Sequence, residues 1–191
     1  MYKRFLLLLF LICIAEDALA QQGESMRSAV EIDHSRFDSL LIQHVNQLGE
    51  VDYAAIKSGD QLQPYLDVLA SSDPAALNEE EAIAFWINAY NAYTIKLIVD
   101  HYPVNTIKEI TPLRIKGLSL AIPKINSPFE YEIANIAGHM YSLDDIEHAI
   151  LRKEFEEPRI HFALVCASYS CPPLRREAFT GSRLDEQLDE Q

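Results

Sequence analysis

Between Ala82 and Val99 the chain carries a single charged side chain, Lys96, and no glycine or proline. Asn78 can cap a helix ahead of this stretch, and Glu79, Glu80 and Glu81 fall in its first turn, where the helix dipole favours acid. The helix therefore runs from 79 to about His101 and stops before Pro103. Trp86, Tyr90, Tyr93 and Leu97 make one stripe, and Ile83, Ile87 and Ile98 widen it. A helix that is apolar on nearly every side has to be surrounded by the rest of the protein. Whatever else folds here folds around residues 79–101.

The other elements are read by their periods. Phe37, Leu40, Leu41, His44, Val45 and Leu48 recur at helical spacing from Ser35, and Gly49 ends that helix. Val51-Asp52-Tyr53 reads as a short extended piece. Asp60 is the expected cap of a second helix reaching Ala70, with Leu62, Leu66 and Leu69 inward. Residues 105–110 allow one helical turn, and residues 111–131, with three prolines, read as loop. A strand is expected within 130–141, then a turn at Gly138. Ser142-Leu143-Asp144-Asp145 has the form of a capping box, with aspartate in place of glutamate. The helix it opens runs to about Lys153, with Ile146, Ala149 and Ile150 inward. Arg159 to Cys166 (RIHFALVC) is short, apolar and bounded by Pro158, which reads as a buried strand. A last helix begins near Leu184. The 191 residues hold no internal repeat and no linker, so one helix-rich α+β domain with a small sheet around the central helix is expected.

The N-terminus is read apart from that domain. Lys3 and Arg4 precede the apolar run Phe5–Ala15, and Ala18-Leu19-Ala20 offers a cleavage site before polar Gln21 and Gln22. This is the layout of a secretory signal peptide over residues 1–20, with a polar leader over 21–34 and the domain over 35–191. The run is too short to span a bilayer, and no later run is long enough, so no membrane span is expected after cleavage. An exported protein, periplasmic or extracellular, follows. The charges of the removed segment cancel, so the mature chain keeps the formal net charge of −13. Such a chain repels nucleic-acid backbones, and no basic patch interrupts the acidic background.

Four groups of residues could carry chemistry. Asn88 and Asn91 lie three apart, hence on one face of the core helix. A buried amide without partners costs about 1–3 kcal/mol per group. Each must therefore pin a loop, with 111–131 the expected one, or line a cleft and donate to a substrate oxygen. Cys13 falls in the signal peptide, leaving Cys166 and Cys171. They could form a disulfide, the default in an exported protein. One could be a catalytic thiol with His148 or His161 as base. Or both could join two histidines on zinc, although no His-His pair has ligand spacing. On a regular strand, His161 and Cys166 would face opposite sides and lie about 16 Å apart at ~3.3 Å per residue. Asp144, His148 and Arg152 share a face of the capped helix, either as a solvated charged strip or as an orienting set for the imidazole.

Taken together, GEVDY (49–53), AFWINAYNAYTI (84–95), SLDDIEHAILR (142–152) and RIHFALVCASYSCPPLRREAF (159–179) resemble the DUF547 family, a domain of unknown function found in bacteria and plants. The resemblance runs from about Phe37 to the C-terminus. It implies a bacterial exported member whose family domain continues beyond Gln191. It places Asn88, Tyr90, Asn91, Glu147, His148, Arg152, His161, Cys166 and Cys171 in family motifs. Family members often carry Asn before the first cysteine of the last motif, where this chain has Val165. The helix-then-Cys/His layout is loosely similar to papain-like and transglutaminase-like hydrolases, although there the cysteine begins the central helix. Two functions follow as expectations. One is a thiol-dependent hydrolase or acyltransferase of an amide-like substrate, with Cys166 or Cys171 as nucleophile, His148 or His161 as base, and Asn88, Tyr90, Asn91, Glu147 and Arg152 binding substrate. The other is a non-catalytic binding or structural domain closed by a Cys166–Cys171 disulfide. Neither implies a cofactor or a metal. The expected partner is a small molecule or a peptide.

Overall fold

The computed structural model describes residues 31–110, 127–167 and 171–191. The expected signal peptide, most of the expected leader and most of the proline-rich loop lie outside the described residues.

The central helix α4 is Glu79–His101, and Asn78 caps it by accepting a hydrogen bond from Glu81 N at 2.8 Å. Every residue from 81 to 95 is buried. Around it pack α1 (Ser35–His44), α2 (Tyr53–Ser58), α3 (Gln63–Ser71), a helix over 145–154 and the C-terminal segment. The sheet is one antiparallel hairpin, β1 (Ala134–Ile136) and β2 (His139–Tyr141), with Ala134 opposite Tyr141. Its two turn residues, Ala137 and Gly138, have φ of 51° and 78°, as a two-residue hairpin requires. The Tyr93 hydroxyl fastens the hairpin to α4, donating to Asn135 O at 2.9 Å and accepting from Asn135 N at 3.1 Å. The helix-rich α+β expectation holds.

Four local expectations are corrected. The first helix ends at His44, not Leu48, because Val45 turns out to pair with Val51 in an isolated antiparallel bridge. Leu48 is therefore 74% exposed. Asp52 is not part of an extended piece but the cap of α2, accepting from Ala55 N at 2.9 Å. Asp60 caps nothing, and α3 begins three residues later with Pro64 in its first turn. Finally, 159–166 is not a buried strand. Ile160–Ala163 is a short helix, α6, and Leu164 is the first extended residue. A buried strand needs a ladder partner on each side, and the only sheet among the described residues is the distant hairpin.

The entry to α1 holds a buried histidine. His34 is 4% exposed, and its Nδ1 lies 2.7 Å from the hydroxyl of Tyr65, which stacks on Phe37. Burial lowers the His34 pKa to about 4. The depressed value means that the unfolded chain takes up this proton first. Stability should therefore fall as pH drops from about 6.5, the unperturbed value, towards 4. Thermal unfolding across that window should show the slope, and His34→Gln should remove it.

Candidate functional site

The helix after the hairpin opens as its sequence specifies. Asp145 N donates to Ser142 Oγ at 3.0 Å, and the Asp145 carboxylate accepts from Ser142 N at 2.9 Å and Oγ at 2.6 Å. These bonds hold the Asp145 carboxyl below its ordinary pKa. The winding that follows is unexpected. Asp145–Leu151 is a π-helix, continued by one α-turn, Arg152–Glu154, called α5. Ile146, Ile150 and Leu151 are buried, while Ala149, expected inward, is exposed. Such π-turns are rare and concentrate at functional sites.

The π-turn has one chemical consequence. In an α-helix, residues five apart sit roughly 140° apart around the axis. Here the Arg152 backbone N–H bonds back to Glu147 O, and the two side chains meet at 2.6 Å. Arg152 therefore pairs with Glu147 and not with His148, its i−4 neighbour. His148 faces Asp144 at 3.6 Å, with both side chains 53% exposed, as a solvated pair.

Glu147 connects inward and Arg152 outward. Tyr90 is buried and couples electrostatically to Glu147: its pKa is raised, first by burial and then by the charge of Glu147. Arg152 Nη2 also lies 3.0 Å from His161 Nδ1. A guanidinium carries only donors, so Nδ1 accepts and the imidazole proton sits on Nε2. Tyr90, Glu147, Arg152 and His161 thus form one chain from core to surface. It borders a cleft of ≈ 540 Å³. The sequence motifs named all four residues without joining them.

Both asparagines hold backbone. Asn88 Oδ1 accepts from Phe179 N at 2.9 Å, and its Nδ2 donates to Phe179 O at 2.7 Å. Asn91 accepts from Val165 N at 3.0 Å and donates to Ala163 O at 2.9 Å. Each amide stands in for a strand edge. The segments pinned are 163–165 and 179 and not the expected loop 111–131, of which 111–126 lie outside the described residues. Gln187, fully buried and not foreseen, repeats the device, accepting from Thr180 N and donating to Ala178 O, both at 2.9 Å. A lone glutamine in an acidic helix carries no sequence signal for that role.

Cys166 and Cys171 form a disulfide, with Cα atoms 6.1 Å apart and both residues half-buried. His161 and Cys166 do not lie on opposite faces of one strand, because the residues between them are helical up to Ala163. Among the described residues no three His, Cys, Asp or Glu side chains gather as metal ligands. No helix of the described residues is long and apolar enough to cross a membrane.

No curated protein and no solved structure matches this chain. The GEVDY motif at 49–53 falls outside residues 74–191, the stretch matched by a family model, which covers more than half of the sequence. Residues 74–191, which include the core helix, the π-turn and the disulfide, match the family described as "Protein of unknown function, DUF547", and the chain belongs to that family.

Proposed function

We propose that this is an exported, ligand-binding domain closed by its disulfide, rather than a thiol enzyme. One observation carries the reading: the two sulfurs that a hydrolase or acyltransferase would need are bonded to each other. A disulfide sulfur is not the thiolate such chemistry requires. His161 supports the same reading. Its lone pair is turned to Arg152, so it offers a proton on Nε2 rather than a base. His148 is engaged with Asp144 at the surface. What remains is a linked pair of donors, Arg152 and His161, beside a cleft fit for a small molecule or a peptide. Disulfides persist in oxidising compartments, which supports a periplasmic or extracellular location.

The test is intact mass and thiol titration of the secreted protein, with turnover assays before and after reduction. The expected protein is two mass units lighter than its reduced form and has no free thiol. Replacing Cys166 and Cys171 by alanine should lower stability by about 2 kcal/mol, given the short loop, and leave ligand binding intact. Hydrolysis of an amide or ester that appears on reduction and vanishes in the double variant would establish the thiol enzyme instead.

A further inference from the structure

The cleft beside Arg152 has walls of two kinds. Phe155 and Pro158 supply apolar surface over the buried Leu151 and Ile160, and Arg152, Glu156, Glu157 and His161 the charge and polarity. Its volume of ≈ 540 Å³ is in the usual range of about 300–1,000 Å³ for small-ligand sites.

The polar groups differ in what they have left to give. Arg152 spends Nη2 on Glu147 and His161, leaving the hydrogens of Nη1 and Nε without a partner among the described residues. These free Arg152 hydrogens suit a carboxylate. Glu157 is committed, with both oxygens on Arg159 at 2.9 and 2.6 Å. Glu156 is exposed and makes no ion pair or hydrogen bond among the described residues. Glu147 offsets Arg152, but Arg159 is shared by Glu157, Asp185 and Asp189, so together with Glu156 the carboxylates around the cleft outnumber the cations. A bare anion meets repulsion there, and a doubly charged phosphate more so. A bare cation would leave the Arg152 donors unused.

We infer that the cleft takes a zwitterion of the α-amino-acid type, its carboxylate on Arg152, its ammonium towards Glu156 and its apolar side chain on Phe155 and Pro158. A free amino acid and a short peptide with both termini free share this chemistry. The inference rests on the binding-domain reading above.

The experiment is a titration of the oxidised protein followed through the His161 imidazole resonances by NMR. The probes are L-leucine, N-acetyl-L-leucine, L-leucinamide and leucyl-leucine. L-Leucine should shift His161. L-Leucinamide should bind about 10-fold or more weakly, since charge-assisted bonds of about 1.5–3 kcal/mol are lost. N-Acetyl-L-leucine, lacking the ammonium, should bind a few-fold more weakly, the scale of an exposed ion pair. Arg152→Met should abolish the shift without changing the fold, and Glu156→Gln should erase the difference between L-leucine and its N-acetyl form. Tighter binding of leucyl-leucine than of L-leucine identifies a peptide as the ligand, and the reverse identifies a free amino acid. Equal binding of L-leucinamide and L-leucine, or no His161 shift with any probe, overturns the zwitterion. Turnover by the reduced protein overturns the binding reading instead, so the two failures are told apart.

Discussion

Replacing Asn88 with leucine should destabilise the domain by about 2–5 kcal/mol. The side chain is 1% exposed, and its amide is the partner of both Phe179 N–H and Phe179 C=O. Leucine fills similar space and offers no hydrogen bond. Two buried backbone groups would be left unpaired, at about 1–3 kcal/mol each. No neighbouring strand can replace them, because the bonds of 178–180 come from side chains. Asp38 receives Ala178 N–H, Asn88 holds Phe179, and Gln187 holds Ala178 O and Thr180 N–H. Urea unfolding of the variant is the measurement. A loss under about 1 kcal/mol would mean that this segment is held by packing alone.

The second large effect is expected at Gly49. Its φ of +77° lies in the left-handed region, where a side chain is strained. A Cβ there would meet Pro173 Cβ, and would sit 2.7 Å from Leu174 N and 2.8 Å from Pro173 Cα. Two of these three atoms are backbone and cannot swing aside. Gly49→Ala should therefore cost about 2–4 kcal/mol, strain and overpacking together. Gly138 is the internal control. It has nearly the same φ, +78°, but nothing within 4 Å of an added Cβ, so Gly138→Ala measures the strain alone. Thermal unfolding of the pair separates the two contributions. Equal losses would show that the approach of Pro173 relaxes.

The two asparagines show how far sequence reasoning reached into the candidate site. Their spacing required a shared face, and their burial required partners; both demands are met. Which backbone they hold could not be read, because the partners lie 72 to 91 positions away along the chain. The RIHFALVC segment failed for a related reason. Short apolar runs fit a buried strand or a helical turn equally well by composition. Only the absence of a neighbouring strand, and the presence of Asn91, decides between them. Glu147 and Arg152 were placed in motifs, yet at α-helical spacing they would not meet. One π-turn brings them together, and with Tyr90 and His161 they become a connected chain.

Sequence alone determined the buried helix over 79–101, its Asn78 cap, the Ser142–Asp145 capping box and the DUF547 motifs. These rest on local chemistry: a helical period, a side chain reaching three residues ahead, and residue types in a given order. Tertiary structure alone decided that α1 stops at His44 and that Glu147 is Arg152's partner. It also decided that amide side chains replace strand neighbours at 163–165 and 178–180, and that Gln187 completes the core. Each of these depends on which backbone groups lack a partner once the chain is packed. That is a property of the whole fold, because a buried N–H or C=O must be satisfied by whatever lies nearest in space.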